Sequence, residues 1–363
     1  MRAMQLELPL ELGKFKMGNA PLPDGEEIYG GGNSVFAGKT VLVTGGTGSF
    51  GKKFAEIVLR EHEPKALRIF SRGELLQLEM RQQFQEDGRL RFFIGDVRDR
   101  ERLYRAMNGV DIVVHAAALK QVPACEYNPL EAVRTNIDGA ANVIDAAIDN
   151  EVEKVLAIST DKAVWPVNLY GATKLVAEKL FVQGNAYTGG RKTRFSVVRY
   201  GNVVGSRGSV VPLFFKQKKN GRVTITDERM TRFWLTLEQG VRFVISSLAQ
   251  MKGGEIFVPR IPSMRVTDLA EAIAPGAIKE VIGIRAGEKL HECLLTEEEA
   301  RHSKEFGTYF VIEPEHALRG NETRIAGNAL PEGFSYSSND NDHWLSAEEL
   351  WAAIGSFDLR QDD

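Results

Sequence analysis

Between residues 38 and 203 the sequence alternates short apolar runs with segments of helical spacing, and this alternation constrains the fold most. The apolar runs occupy residues 40–45, 66–71, 90–96, 110–117, 153–160 and 194–203. They are continuously apolar, which is typical of parallel strands that are buried on both faces by helices. We therefore expect an α/β fold of the Rossmann type, with a doubly wound parallel sheet.

The pattern changes on either side of this region, which suggests how the chain is divided. Residues 1–36 are rich in Gly, Pro and acids and predict an N-terminal arm ahead of a cofactor-binding domain at 37–203. Residues 204–345 mix short helix and strand patterns and predict a smaller mixed α/β substrate domain. Within it, a helix and a strand at about 236–260 are expected to return to the main sheet. A short helix and tail are expected at 346–363.

The bulk composition argues against several classes of function. The chain has 46 Lys and Arg residues against 49 Asp and Glu residues, a formal net charge of −3, and no long run of one sign. This balance argues against a nucleic-acid-coating surface or a membrane-binding stripe. No apolar run approaches the roughly 18 residues of a membrane span. Cys125 and Cys293 are too few for a disulfide framework or a zinc site, so we expect no metal and a cytoplasmic setting.

A glycine-rich segment, "TGGTGSFG", follows the first apolar run and precedes a helical segment. It places Gly45, Gly48 and Gly51 in a G-x-x-G-x-x-G spacing. Glycine permits a tight turn and lets the backbone approach a pyrophosphate at the helix N-terminus. Between a strand and a helix, this spacing predicts a dinucleotide site.

The residues after the second and third apolar runs bear on the choice of cofactor. An acid after the second run would bind the ribose 2′-hydroxyl of NAD, but this chain has Ser71 and then Arg72. An arginine suits the 2′-phosphate of NADP, so NADP is favoured, while Glu74 nearby keeps NAD open. Asp96 ends the third run and either accepts a hydrogen bond from adenine or caps the next helix.

The segment "STDKAVWPVNLYGATK" concentrates chemically active side chains. If residues 168–183 are helical, Tyr170 and Lys174 share one face. A lysine cation beside the phenol is expected to lower the tyrosine pKa. The tyrosine could then take a hydroxyl proton while hydride leaves the same carbon for a nicotinamide. Asp161 and Lys162, just before this helix, form either a surface ion pair or an acid and base pair.

Together these motifs resemble the extended short-chain dehydrogenase/reductase family. Within it, they are most similar to the configuration-inverting UDP-N-acetylglucosamine 4,6-dehydratases that begin pseudaminic acid synthesis. The similarity covers roughly residues 36–348. It rests on "TGGTGSFG", "FSRGEL", "HAAALKQVPACEYNP", "STDKA", "NLYGATK", "FSVVRYGNVVGSRGSVVP", "RMTRFW", "GIRAGEKLHE" and "YSSNDNDHWL".

The resemblance implies a three-step reaction on a UDP-sugar. Hydride leaves C4 for the cofactor, water is eliminated across C5 and C6, and hydride returns to C6. Tyr170 and Lys174 are implied in the redox step, with Thr160 bonded to the C4 hydroxyl. Asp161 is implied as the acid and Lys162 as the base, where retaining relatives carry Asp-Glu. A basic lysine must be neutral, so we expect its pKa to lie well below ~10.4.

The resemblance also implies the residues that bind each ligand. For the cofactor these are Gly45, Gly48, Ser49, Phe50, Gly51, Arg72, Glu74, Gln77, Asp96, Val97, Ala116, Lys120, Thr135, Tyr170 and Lys174. For the substrate they are Lys120, Asn202, Arg207, Arg232, Arg285 and Glu288. Asn202 and the three arginines would hold the diphosphate, and Glu288 would take the uridine ribose hydroxyls. The expected partner is UDP-N-acetylglucosamine or a closely related UDP-sugar, and the family commonly forms homo-oligomers.

One residue departs from the family pattern, and other functions are open. Trp165 stands where relatives usually have a small polar residue, commonly asparagine, so the indole either reshapes the sugar pocket or faces outward. A 4-epimerase needs no acid and base pair, and a retaining dehydratase would have Glu in place of Lys162. A non-catalytic NADP-binding sensor would typically have lost Tyr170 or Lys174, and both are present.

Overall fold

The structure is a computed structural model that describes residues 34–204, 209–314 and 326–355. Most of the expected arm, the candidate ligand Arg207 and the end of the expected tail lie outside the described residues. No helix in the described part of the chain is long and apolar enough to cross a membrane. Within the same residues, no group of three or more His, Cys, Asp or Glu side chains is placed to hold a metal ion.

The described residues form strands and helices in alternating order along the first half of the chain. The strands are β1 (Thr40–Thr44), β2 (Ala66–Ser71), β3 (Leu90–Ile94), β4 (Ile112–His115), β5 (Lys154–Thr160), β6 (Arg194–Tyr200), β7 (Asn202–Val203), β8 (Arg222–Ile225), β9 (Thr231–Leu235), β10 (Ile256–Pro259), β11 (Ser263–Arg265), β12 (Ile278–Val281), β13 (Cys293–Leu295), β14 (Ser303–Glu305), β15 (Tyr309–Ile312), β16 (Asn328–Ala329) and β17 (Tyr336–Ser337). The α-helices are α1 (Ser49–Glu61), α2 (Glu74–Gln83), α3 (Arg100–Met107), α4 (Val122–Tyr127), α5 (Pro129–Val133), α6 (Gly139–Asp149), α7 (Leu169–Tyr187), α8 (Val210–Lys218), α9 (Leu237–Gln250), α10 (Val266–Ile273), α11 (Glu297–Ala300) and α12 (Ala347–Gly355). A π-helical turn spans Arg134–Asp138, and a 3-10 turn spans Asp161–Ala163.

The central sheet has the strand order β16-β14-β15-β10-β6-β5-β4-β1-β2-β3. The seven strands from β10 to β3 are parallel. This confirms the predicted doubly wound α/β fold, in which the order reverses between β1 and β4. The strands β14, β15 and β16 extend the sheet with antiparallel pairing. The sequence analysis missed them because each is only two to four residues long.

Continuous apolar strands are buried because helices cover both faces of the sheet. All five residues of β1 and all four residues of β4 are buried. Helices α1 and α9 pack together on one face, while α3, α6 and α7 pack side by side on the other. Covering both faces removes the apolar strand side chains from water, which is the main stabilising contribution to such a fold.

A smaller unit with its own apolar core faces the carboxyl ends of the parallel strands. Its core contains Phe214 of α8, Trp234 of β9, Leu269 of α10 and Leu350 of α12. Its strands form the short sheets β11-β9-β7 and β12-β8. Ligands of open α/β sheets bind outside the carboxyl ends of the strands, so the space between the two cores is the expected site.

Candidate active site

A large cavity of about 1610 Å³ lies between the sheet and the smaller unit. The segments that follow β1, β2, β3, β4, β5 and β6 all contribute to its wall. Of the residues predicted for the site, the wall includes Gly45, Gly48, Ser49, Phe50, Arg72, Asp96, Val97, Ala116, Lys120, Thr135, Thr160, Lys162, Tyr170, Lys174, Asn202, Arg232, Arg285 and Glu288. The wall does not include Gly51, Glu74, Gln77 or Asp161.

The glycine turn packs closely against neighbouring backbone and leaves the first N–H groups of α1 without a side-chain cap. Gly45 has a φ of +65°, and a Cβ there would lie 2.9 Å from Cα of Ala117. A Cβ at Gly51 would lie 2.2 Å from the carbonyl oxygen of Gly46, so Gly51 allows close packing of helix and turn. The N-cap of α1 is Gly48, which has no side chain to satisfy the helix N–H groups. These free donors suit a pyrophosphate, so the turn fits a dinucleotide.

Two residues predicted near the adenosine serve a structural purpose or lie outside the cavity. Gln77 is buried, and its Nε2 donates to the carbonyl oxygens of Ser71 and Phe93, at 3.1 and 2.9 Å. Gln77 therefore ties β2 to β3 and does not reach the cavity. Glu74 is exposed at the start of α2 and does not line the cavity either. Neither residue lines the cavity, and both stay predictions as cofactor contacts.

Asp96 lies on the cavity wall as a carboxylate that is held in place. Its Oδ2 accepts from Arg98 at 2.7 Å, and it lies 3.9 Å from Nη1 of Arg72, a side chain that is 61% exposed. Burial raises the pKa of Asp96, but Arg98 and Arg72 outweigh burial and the net shift is downward. The cap of α3 is Asp99, whose side chain accepts from the Arg102 N–H, so Asp96 is not the helix cap.

The Lys162 amine lies among oxygen atoms on the cavity wall. Its Nζ is 3.0 Å from Oδ1 of Asp161, 3.2 Å from Oδ1 of Asn202 and 3.4 Å from Oε1 of Glu292. Asp161 itself is fully buried. The Thr160 hydroxyl, which lines the cavity, donates to Asp161 Oδ1 at 2.9 Å. The hydroxyl thus connects the buried carboxyl to the cavity.

The protonation of this group differs from the expectation. Burial pulls the pKa of Lys162 down, but Asp161 and Glu292 outweigh burial and hold the pKa above its usual value. The expected fall in the Lys162 pKa is therefore wrong, because two carboxylates stand where neutral or cationic neighbours were assumed. Burial raises the pKa of Asp161, with Lys162 opposing and Glu292 reinforcing the shift.

Tyr170 and Lys174 occupy the first turns of α7, beside the 3-10 turn. A Cβ at Gly171 would lie 2.1 Å from the Lys162 carbonyl oxygen, so the helix packs directly on the turn. The Lys174 Nζ donates to the Ile158 carbonyl oxygen at 2.7 Å. Burial lowers the pKa of Lys174 to about 8.

The expected effect of Lys174 on the tyrosine is not found. Burial raises the pKa of Tyr170 to about 12, and the cation that opposes this shift is Lys162. The predicted lowering of the Tyr170 pKa by Lys174 is therefore wrong in the ligand-free site. Sequence spacing placed both residues on one helix but did not anticipate their burial.

The cavity wall also carries the groups predicted for the nucleotide diphosphate and ribose. The Arg232 guanidinium is already bonded to backbone, donating to the carbonyl oxygens of Thr231, Lys289 and Leu290. The Arg285 side chain is 56% exposed and lies 3.9 Å from Glu288. Arg285 is thus the arginine with donors to spare.

One carboxylate oxygen of Glu288 can accept a hydrogen bond from a ligand. Its Oε2 is buried and has no hydrogen-bond partner among the described residues. A carboxylate oxygen accepts hydrogen bonds, so the hydroxyls of a sugar ring would satisfy this atom.

Trp165 faces away from the cavity. Its side chain is 58% exposed and is not part of the wall. Its φ is +43°, a conformation that asparagine tolerates and a bulky residue rarely adopts. The indole therefore does not line the cavity, and an asparagine here would fit this backbone conformation.

Three polar residues of the site were not picked out by the sequence analysis. Glu292 lines the cavity beside Lys162, and Lys289 donates to the Val164 carbonyl oxygen at 2.6 Å. Asn136, in the π-helical turn, bonds both the N–H and the carbonyl oxygen of Leu119. Glu292 and Lys289 lie in the quoted motif "GIRAGEKLHE", but only the fold shows that this segment reaches Lys162.

Comparisons with known proteins agree with these features. The family described as Polysaccharide biosynthesis protein matches residues 41–314. The UDP-N-acetylglucosamine 4,6-dehydratase (inverting) of Campylobacter jejuni subsp. jejuni serotype O:23/36 (strain 81-176) is 54% identical over 325 residues, covering 87% of this chain and 97% of that protein. The UDP-glucose 4-epimerase of Rickettsia canadensis (strain McKiel) is 43% identical over 286 residues, covering 77% and 84%.

Solved structures show the same architecture. The X-ray structure of Pen from Bacillus thuringiensis matches with a TM-score of 0.80 and 40% identity, over 88% of this chain and 99% of that one. A complex of the Thermus thermophilus UDP-glucose 4-epimerase with NAD matches with a TM-score of 0.57 and 25% identity, over 69% and 88%. The Thermus thermophilus protein thus binds a nicotinamide cofactor.

Proposed function

This chain belongs to the polysaccharide biosynthesis protein family of extended short-chain dehydrogenases/reductases, and from that membership we propose that it is an inverting UDP-N-acetylglucosamine 4,6-dehydratase. This hydro-lyase would convert its substrate to UDP-2-acetamido-2,6-dideoxy-4-hexulose with inversion at C5. One observation carries the proposal: the Lys162 amine lies on the cavity wall, 3.0 Å from the Asp161 carboxyl. Retaining relatives are expected to have two carboxylates at these positions.

The glycine turn and the strand ends support a bound nicotinamide dinucleotide. When bound, the nicotinamide would accept the C4 hydride and return it to C6. Arg72 is exposed at the adenosine end and is free to meet a 2′-phosphate, which favours NADP over NAD. Gly45 and Gly48 supply the close backbone approach that the pyrophosphate requires.

In the oxidation step, Tyr170 takes the proton of the C4 hydroxyl. A phenol whose pKa is about 12 needs help to lose its proton at neutral pH. The Lys162 cation and the hydrogen bond with the Thr160 hydroxyl both oppose the rise in the Tyr170 pKa that burial causes. Thr160 also hydrogen-bonds the C4 hydroxyl, and Lys174 orients the reacting groups beside β5.

The elimination step needs an acid and a neutral base, and Asp161 and Lys162 reach that state without proton uptake. One proton moves from the Lys162 Nζ to the Asp161 Oδ1, a separation of 3.0 Å. The ion pair is the resting form, because Asp161 and Glu292 hold the Lys162 pKa above its usual value, and the neutral pair is the minor form that reacts. The Lys162 amine then removes the C5 proton. Asp161 protonates the departing C6 hydroxyl, with the Thr160 hydroxyl as the connection to the cavity.

The polar residues of the cavity wall within β7 and β9 and after β12 support a UDP group. Arg285, Arg232 and Asn202 would meet the diphosphate, and the unpartnered Glu288 oxygen would accept from the uridine ribose. A basic and polar pocket of this kind suits a nucleotide sugar. We propose the cytoplasm as the location and a homo-oligomer as the assembly, and pseudaminic acid synthesis as the pathway that uses the product.

A UDP-sugar 4-epimerase is the second candidate. A relative so named is 43% identical, and Tyr170 and Lys174 would serve C4 oxidation in either reaction. The two reactions differ in mass, because only the dehydratase releases water. Incubation with UDP-N-acetylglucosamine and catalytic NADP, followed by mass spectrometry, is expected to show loss of one water. A product of unchanged mass that contains the C4 epimer would replace the proposal with the epimerase.

A further inference from the structure

We propose that Glu292 is a positioning residue for the base. Its carboxylate holds the Lys162 amine on the cavity wall and stabilises the ammonium that forms when Lys162 takes the C5 proton. The inference rests on the proposed dehydratase function, because it concerns the base of that reaction. It extends that function by adding a carboxylate from the smaller unit, about 130 residues away along the chain.

The contacts of Glu292 fix its carboxylate at the amine. Its Oε1 lies 3.4 Å from the Lys162 Nζ, and its Oε2 lies 3.1 Å from the Lys289 Nζ. The Arg232 Nε is 4.0 Å away. The backbone is also held, because the Glu292 N–H donates to Ser338 Oγ at 2.9 Å and the Ser338 N–H donates to the Glu292 carbonyl oxygen at 2.8 Å. The Glu292 Oε2 atom has no hydrogen-bond partner among the described residues, so the ion pairs with Lys162 and Lys289, together with the backbone bonds, keep the carboxylate beside the amine.

The three cations around Glu292 differ in their other partners. Arg232 donates to the carbonyl oxygens of Thr231 and Leu290, and Lys289 donates to that of Val164. Both are therefore anchored to backbone. Lys162 instead contacts the side chains of Asp161 and Asn202 and lines the cavity. Two cations thus fix the carboxylate, and the third is the amine free to exchange a proton with a substrate.

The charge on Glu292 is maintained by these neighbours. Glu292 is 2% exposed, and burial raises its pKa. Lys162, Arg232 and Lys289 outweigh burial, and the net shift of the pKa is downward. Glu292 is therefore ionised when Lys162 becomes an ammonium, and an anion at this distance stabilises that cation.

The charge of Glu292 stays the same throughout the proton transfers. The C5–H bond breaks, an N–H bond forms on Lys162, and the electron pair stays on the sugar as the double bond to C6 develops. The C6–O bond breaks as Asp161 gives up its proton. Glu292 gains and loses no proton. Its effect is to make the amine a stronger base, since the conjugate acid of that amine is stabilised.

The test compares Glu292→Gln with the parent in the dehydration assay. Glutamine keeps the shape and an acceptor oxygen but removes the charge. We expect kcat to fall by about 10- to 100-fold, with KM for UDP-N-acetylglucosamine unchanged within about twofold. If the parent itself does not release water, the proposed function fails. If the parent does and the variant matches its kcat, only the inference about Glu292 fails.

The pH profile separates an electrostatic role from a structural one. Below the acid limb of the kcat profile both Asp161 and Lys162 are protonated, so Lys162 cannot act as the base until the pair loses its first proton. The charge on Glu292 raises the Asp161 pKa, so its removal should move this limb to lower pH. The alkaline limb, which we assign to Lys174, should stay in place. Tyr170 also interacts with this cluster, so both limbs are fitted in each variant. A lower kcat with an unmoved acid limb would overturn the inference.

A matched control is Glu299→Gln, which removes a partly buried carboxylate from an ion pair. The Glu299 Oε1 lies 2.9 Å from the Arg199 Nη2 and does not line the cavity. We expect this variant to lower the melting temperature without moving either limb. The variant Glu292→Asp keeps the charge and should keep the parent acid limb, even where kcat falls. A shifted limb in Glu299→Gln or Glu292→Asp would contradict the assignment.

Discussion

The two ends of the cavity hold their ligands by different means. The nucleotide end is one contiguous turn, where Gly45 and Gly51 allow close backbone packing and the N–H groups at the start of α1 have no side-chain cap. The reaction end is assembled from the 3-10 turn after β5, the start of α7 and the segment before β13. There, one lysine lies between two carboxylates. Cofactor binding at the first end depends on the shape of the backbone, and the reaction at the second end depends on which groups carry protons.

This difference explains why changes at one end should leave the other intact. A glycine turn binds through backbone, so single side chains near the reaction end contribute little to cofactor affinity. Buried charges depend on every neighbour within a few ångströms, so a change in one of them alters the proton chemistry of the whole group. The predictions below test this separation.

The largest expected effect is that of Tyr170→Phe, which removes one hydroxyl at the reaction end. We expect dehydration to fall by about 10²- to 10⁴-fold, because the C4 hydroxyl proton loses its acceptor. NADP affinity, which depends on the other end, should change by less than about twofold. Turnover by mass spectrometry and cofactor titration measure both. Near-normal turnover would refute the role of Tyr170.

How far the sequence predicted the molecule follows the same division. The parallel strands and the glycine turn were predicted because each is encoded by a contiguous run with its own period. The pKa directions of Lys162 and Tyr170 were predicted wrongly. For Lys162, Asp161 and the sequence-distant Glu292 outweigh burial, and for Tyr170, burial raises the pKa. The resemblance to the family placed Gln77 at the cofactor, and only the structure shows that its side chain bonds to β2 and β3.

Short segments were the other gap in the prediction. The strands β14 and β15, of three and four residues, carry too little periodic signal to be recognised. They are strands because β10 offers β15 an edge to pair with. Likewise Asp99 caps α3 where Asp96 had been considered, a shift of three residues that sequence alone does not resolve.

A smaller effect is expected at the nucleotide end from Arg72→Ala. We expect NADP affinity to fall by about 10- to 100-fold, since a charge-assisted contact to the 2′-phosphate is lost. NAD affinity should change little, because NAD lacks that phosphate. The matched control is Arg98→Ala, which releases Asp96 and should weaken both cofactors alike. Equal losses for NADP and NAD in Arg72→Ala would contradict the assignment.

Activity is expected to depend on pH through Lys174. Its pKa is lowered to about 8, so the amine loses its proton as pH rises through that value. Deprotonation removes the positive charge and one of the two N–H donors that remain beyond the one that Ile158 accepts. We therefore expect kcat/KM to fall about tenfold per pH unit above the limb.

The control for this limb is Lys174→Arg, because arginine keeps its charge across the accessible pH range. If the variant folds and binds NADP, its alkaline limb should vanish or move to higher pH. An unmoved limb in a folded variant would show that another group titrates there.

The smallest expected effect is that of Trp165→Asn, outside both ends of the cavity. Asparagine tolerates the positive φ at this position, so we expect the free energy of unfolding to rise by about 1 kcal/mol. The kinetics should match those of the parent, because the indole does not line the cavity. Trp165→Phe keeps the strain and should leave stability unchanged. An altered KM in Trp165→Asn would place this residue in the sugar site.

The most direct test of the account is the configuration of the earliest product, formed in heavy water and read by NMR. The account predicts deuterium at C5 and the L-arabino 4-keto-6-deoxy sugar, because Lys162 removes the C5 proton and the carbon is reprotonated from the other face. Lys162→Ala should abolish this product while NADP still binds. A first product with the D-configuration at C5, or dehydration by Lys162→Ala at the parent rate, would contradict the account.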